Sequence, residues 1–189
     1  YIYMIVILDN IRSMNNVGSI FRTADALGVE KIYLCGITPE PIDSFGRPRG
    51  QFVKVSLGAE KTVAWEKIKG ASRLIDKLKK DGYKIWAVEQ NKKSIPYYAL
   101  RPTAYGLNRT VLVLGNEVDG ISPAILKKCD KILEIPMRGA MVRQARHPRR
   151  LSRFARSLEG RRHGKESLNV AIAFGIVAFQ LIYNRSKAK

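Results

Sequence analysis

Residues 111–122 read VLVLGNEVDGIS. Val111–Leu114 is a short apolar run suited to a buried strand, and Gly115-Asn116-Glu117 with Gly120 ends it in a tight loop. Ser122-Pro123 then opens a helix, with Ser as N-cap and Pro at the first helical position. Open α/β sheets bind ligands beyond the carboxyl ends of their strands, which is where Gly115, Asn116 and Glu117 fall. The glycine lets a ligand approach backbone N–H and C=O groups, and the glutamate sets a carboxylate beside them. A turn capped by polar residues has the same appearance, so the stretch gains meaning only with others.

Upstream, residues 3–8 (YMIVIL) read as the first strand and Asp9-Asn10 ends it. Asn16 reads as an N-cap, after which Val17, Ile20, Phe21, Ala24 and Leu27 recur at helical spacing and Gly28 stops the helix. Residues 31–35 form a second strand, so the first 35 residues are a βαβ unit with a parallel sheet. Arg22, six residues past Asn16, is either a solvated surface residue or a functional one. Residues 36–56 read as a loop rich in Pro, Gly and Arg. There Arg47 and Arg49, with Phe45 and Phe52, either meet phosphates and bases or decorate an ordinary surface loop.

Downstream, residues 71–80 give an amphipathic helix, 83–88 a strand and 131–135 the last strand, finished by Pro136. Between 140 and 164 there are eight Arg and no Lys, together with both histidines, His147 and His163. This basic stretch is an RNA-binding helix, an arm that folds on binding, or a segment foreign to the fold. Residues 165–183 open polar and continue as a helix apolar nearly all round, which predicts burial on every side, part of it by a second copy of the chain.

A chain of 189 residues is most simply one domain, and its net charge of +18 favours a polyanion, with nucleic acid first and an anionic membrane surface second, the alternative being a basic protein kept soluble by its charge. Cys35 and Cys129 lack any metal-ligand spacing and read as reduced core thiols of a cytoplasmic protein. The longest apolar run, 170–183, is too short to span a bilayer. No G-x-G-x-x-G follows a strand, which argues against a dinucleotide enzyme.

Taken together, NNVGSIFRTADALG, VLVLGNEVDGIS and EIPM with KESLNVAIA resemble the three signature motifs of the TrmH-like branch of the SPOUT RNA methyltransferases. KVSLGAEKT at residues 54–62 is similar to that family as well. The resemblance implies a single SPOUT domain over 1–189: a parallel-sheet α/β fold with a deep C-terminal trefoil knot, an exception to the rule that chains do not knot. It implies S-adenosylmethionine as cofactor, no metal, a homodimer through the C-terminal apolar helix, and methylation of a ribose 2′-oxygen of tRNA or rRNA. Asn16 and Arg22 match the first motif, Glu117 the second, Ser167 and Asn169 the third. Gly115, Ile135 and Leu168 match positions that hold the cofactor, with Leu114 and Met137 walling its adenine. Arg22, Arg47 and Arg49 are the expected RNA contacts, and a dimer sets Arg22 near the partner's cofactor.

The chain departs from the family at residues 140–164, a basic insertion between IPM and KESLN where the pattern is almost continuous. Lengthening a flexible loop costs little, so the fold tolerates it better than the pocket does. The competing readings are a knotted RNA-binding protein whose insertion impairs cofactor binding or catalysis, and a methyltransferase for a base nitrogen. The pairing of Asn16 and Arg22 with Ser167 and Asn169 argues against the latter.

Overall fold

The computed structural model describes residues 4–100, 109–137 and 168–186. The strands are β1 (Met4–Asp9), β2 (Lys31–Cys35), β3 (Ala64–Ile68), β4 (Lys84–Val88), β5 (Ile95–Pro96), β6 (Thr110–Leu114) and β7 (Lys131–Glu134). The helices are α1 (Met14–Leu27), α2 (Gly50–Ser56), α3 (Ala59–Thr62), α4 (Ala71–Lys80), α5 (Pro123–Leu126) and α6 (Val170–Ser186). All neighbouring strands pair in parallel, in the order β3-β2-β1-β6-β4-β7-β5. The chain divides into Tyr1–Ile135 with Asn169–Lys189, and Pro136–Leu168. Of the second unit only Pro136, Met137 and Leu168 are described, so Ser167, both histidines and the Arg-rich stretch lie outside the described residues.

β1 and β6 are buried along their whole length, as continuous apolar strands covered on both faces must be. Side chains alternate between two cores. Met4, Val6, Leu8, Leu112 and Leu114 join Val17, Phe21, Phe52 and Phe174 under α1, α2 and α6. Ile5, Ile7, Val111 and Val113 join Leu74, Ile75 and Ile125 under α4 and α5.

α1 begins earlier than expected. Its N-cap is Ser13, whose hydroxyl accepts from the Asn16 N–H at 3.3 Å. Asn16 therefore sits in the first turn, with its side chain free for other partners. Gly28 ends the helix in the left-handed region (φ 67°). Part of the expected 36–56 loop is α2, which packs closely on α1: a Cβ on Gly18 would lie 3.1 Å from the Cβ of Val55. Phe52, expected near bases, is instead buried edge-to-face on Phe21, ring centres 5.2 Å apart. β3 and β5 escaped the sequence pattern because they are edge strands. β3 is half-exposed, and β5 is two residues with a proline, which an edge tolerates.

α6 lies against α1, with Gly175 close to Thr23. Phe174, Val177, Ala178 and Leu181 are buried there. The expected all-round burial does not hold in the single chain, where Ile172 is 55% exposed, Phe179 62% and Tyr183 46%. Both cysteines are free thiols, and burial pushes them up, to about 12 for Cys35 and about 11 for Cys129. Among the described residues no helix is long and apolar enough to cross a membrane.

Candidate functional site

The carboxyl ends of β1, β6, β4 and β7 stand side by side, with Val88 of β4 paired to both Leu114 and Leu133. After β1 the chain turns at Asn10, itself in the left-handed region (φ 59°). Its Oδ1 accepts the Ile37 N–H at 3.2 Å and its C=O accepts from Asn116 Nδ2 at 3.0 Å. Asn116 also closes the turn after β6: its Oδ1 accepts the Val118 and Asp119 N–H groups at 2.7 and 3.1 Å, and its C=O accepts the Gly120 N–H at 2.9 Å. Gly115 is required by close approach, since a Cβ there would lie 2.6 Å from the backbone of Gly120 and Ile121.

This turn delivers Glu117 to the mouth of α1. Oε1 accepts from Asn16 Nδ2 at 3.0 Å and the Ser13 N–H at 3.3 Å, while Oε2 accepts the Arg12 N–H at 3.2 Å. The positive end of the helix adds to this preference for an anion. Burial alone raises the Glu117 carboxyl; hydrogen bonds from Asn16, its own N–H, Arg12 and Ser13 outweigh it, leaving the group below the usual glutamate value and firmly anionic.

Asn169 extends the line. Its Nδ2 donates to Asn16 Oδ1 at 2.9 Å, and its own Oδ1 accepts the Ala171 and Ile172 N–H groups at 2.9 and 3.3 Å, capping α6. The three residues form a fixed relay, Asn169 to Asn16 to Glu117, in which each amide has one orientation that satisfies its partners.

A residue the sequence did not reveal holds the other side of the turn. Glu89, just past β4, accepts the Ile121 N–H through Oε2 at 2.9 Å. That oxygen occupies the space a Cβ on Gly120 (φ 68°) would need. Nothing marks Glu89 beyond its place directly after an apolar strand.

Of the expected site residues, Asn16, Glu117 and Asn169 are brought together. Arg22 is exposed on α1, about 9 Å further along the helix, and bonds to none of them. Leu114 and Gly115 are buried at the end of β6, and Ile135 is half-buried just past β7. Met137 is half-buried and Leu168 exposed, both within the Pro136–Leu168 unit. Arg47 lies over the Phe45 ring, while Arg49 Nε donates to the Ile42 carbonyl at 2.9 Å and so holds its own loop.

The chain is similar to known proteins. A tRNA (guanosine(18)-2'-O)-methyltransferase of Aquifex aeolicus is 28% identical over 181 residues, 94% of this chain and 67% of that protein. The 23S rRNA (guanosine-2'-O-)-methyltransferase RlmB of Neisseria meningitidis is 30% identical over 138 residues, 73% of this chain and 51% of that protein. The crystal structure of the A. aeolicus TrmH/SpoU tRNA modifying enzyme superposes with a TM-score of 0.72 at 27% identity, covering 99% of this chain and 77% of that one. The chain thus spans about half to two thirds of the length of these curated relatives. The family model of the SpoU rRNA methylases matches residues 3–142, which take in the relay's Asn16 and Glu117 and both turns that hold them: the chain belongs to the SpoU rRNA Methylase family.

Proposed function

We propose that this chain transfers a methyl group from S-adenosylmethionine to a ribose 2′-oxygen of tRNA or rRNA. The observation that carries the reading is the Asn169–Asn16–Glu117 relay at the carboxyl ends of parallel strands, in a member of this family. The residues fit the cofactor: Gly115 and Ile135 are each the first residue past a paired strand and flank β4, at the end of the sheet where open α/β folds bind ligands. With Leu114 they would hold it, in the fold whose proposed C-terminal trefoil knot the resemblance implies. When bound, the cofactor supplies an electrophilic sulfonium methyl, for which in-line alignment is most of the catalytic requirement.

The chain's own residues align the acceptor. Glu117 fixes the mouth of α1, and Asn16 and Asn169 present polar groups there that orient the ribose, the task to which the motif resemblance also assigns Ser167. A guanidinium offers donors and no acceptor, so Arg22 clamps the substrate phosphate and stabilises the developing alkoxide rather than acting as a base. The phosphate or solvent takes the proton. Arg22 acts in trans. It is adjacent to Thr23, which meets Gly175 of α6, and α6 exposes the apolar stripe Ile172–Phe179–Tyr183. A homodimer through α6 covers that stripe and brings Arg22 of the partner subunit to the relay. Arg47 contributes to RNA binding, and the cytoplasm is the compartment this reading gives the protein.

The test is calorimetric titration with S-adenosylmethionine, then nucleoside analysis of tRNA and rRNA treated with the protein. Micromolar binding at about one per chain and a 2′-O-methylnucleoside product are the expected results. A base-methylated product would overturn the reaction assignment. No cofactor binding by a folded dimer would favour an RNA-binding protein whose 140–164 insertion spoils the pocket, and deleting that insertion would then restore binding.

A further inference from the structure

The tip of the loop between β2 and α2 carries a side chain that the fold does not use. Phe45 is 78% exposed. Its backbone is nonetheless braced. Asp43 Oδ1 accepts both the Phe45 and the Arg47 N–H at 2.9 Å, and the Asp43 N–H donates to the Arg47 carbonyl at 2.8 Å. Gly46 makes the turn in the left-handed region (φ 74°) and donates to the Asp43 carbonyl at 3.1 Å. An Ile42–Pro48 bridge and the bonds of Arg49 to Pro41 and Ile42 close the base. The Arg47 guanidinium lies over the ring, 5.3 Å from its centre. An exposed phenyl ring on a braced backbone, with a cation against one face, is a platform for a second planar π system.

The tip belongs to the same end of the sheet as the relay. Its loop leaves the carboxyl end of β2 beside Asn10, and it returns into α2, whose Gln51 donates to Asn15 Oδ1 at 3.1 Å. Asn15 precedes Asn16 of the relay. We propose that Phe45 and Arg47 form a clamp for one unpaired nucleobase of the RNA, next to the nucleotide whose ribose enters the relay. The base stacks on the open surface of the Phe45 ring, and Arg47 pairs with the adjoining phosphate. Of the four residues that the loop's sequence offers to RNA, Phe52 is spent in the core and Arg49 in holding the loop. This inference rests on the RNA-methyltransferase reading.

The experiment compares wild type, Phe45→Tyr, Phe45→Leu and Arg47→Ala in the full chain. Each is titrated with fluorescently labelled single-stranded RNA of mixed sequence and, separately, with S-adenosylmethionine; melting temperature and light-scattering mass are recorded. Phe45→Leu should weaken RNA binding at least ~5-fold, as loss of one base stack does, and Phe45→Tyr should retain wild-type binding. Cofactor affinity, melting and mass should stay unchanged. RNA binding by Phe45→Leu equal to wild type would overturn the clamp alone. A changed mass for Phe45→Leu would also overturn it and make the tip a protein contact. Failure of wild type to bind any RNA would overturn the underlying RNA reading as well, so the two failures are distinct.

Discussion

In the turn after β6, polar groups are answered within one chain: Glu117 receives Asn16, Ser13 and Arg12, Asn116 closes both ends of the turn, and Glu89 takes Ile121. Along α6 the reverse holds, with Ile172, Phe179 and Tyr183 turned outward and Arg22 exposed on the neighbouring α1. The first region is complete as a monomer. The second has the composition of an interior and the exposure of a surface, which is what a face finished by another subunit looks like. In the proposed dimer, alignment and clamping would be divided, with one subunit holding the ribose and the other bringing the charge.

The largest effect should come from attacking the open face. Ile172→Glu with Phe179→Glu should leave a folded monomer by light scattering with no measurable methyl transfer, because charge on a desolvated apolar interface is not tolerated and Arg22 is no longer delivered. Activity retained in a monomer would break the division of labour. Arg22→Ala should lower methyl transfer by ~10²–10³-fold, the usual cost of losing one group that stabilises developing charge, with cofactor affinity unchanged in calorimetry. Mixing Arg22→Ala with Asn16→Ala subunits should recover part of the activity, since one site of the mixed dimer then carries both native residues.

Attacking the closed region should cost stability. Gly115→Ala should destabilise the chain by about 2–3 kcal/mol in urea, because the new methyl meets backbone rather than a flexible side chain. The smallest effect is a dependence on pH. The folded Glu117 carboxyl lies below its ordinary value of 4.5, so its contribution is present above that value and is lost as pH falls through the lower folded one. As the group is partly exposed to solvent, the change should be under about 1 kcal/mol. Asp9 works against it: burial raises its carboxyl against the hydrogen bond from Asn10, which favours the protonated folded chain. The difference between wild type and Glu117→Gln in acid urea melts isolates Glu117, and no difference would show its bonds to be equally good when neutral.

The same contrast separates what was legible in the sequence from what was not. The buried strands β1 and β6 and the glycine-bounded turn announce themselves by apolar runs and breakers, and Asn16, Glu117 and Asn169 lie in the motifs quoted. The cap of α1 was read three residues late because Asn and Ser are both good caps. The choice fell to Ser13, as the Asn16 side chain is engaged by residues 101 and 153 positions away. Glu89 was invisible because its task depends on the left-handed Gly120 across the gap, not on any local pattern. β3 and β5 carry no period because one side of each faces solvent or ends at once.

The strand order carries a consequence for how the molecule is made. β6, at the middle of the sheet, is synthesised after β1, β2, β3 and β4, yet it must pair with β1 on one side and β4 on the other. The amino-terminal strands can zip up through neighbours close in sequence, but the centre closes only when a late segment enters between two earlier ones. Such distant pairings are slow. That segment also brings Glu117 to Asn16, and Asn169 follows every strand in the chain, so the relay is completed only after β6 has entered the sheet. Assembly of the relay is therefore timed by topology.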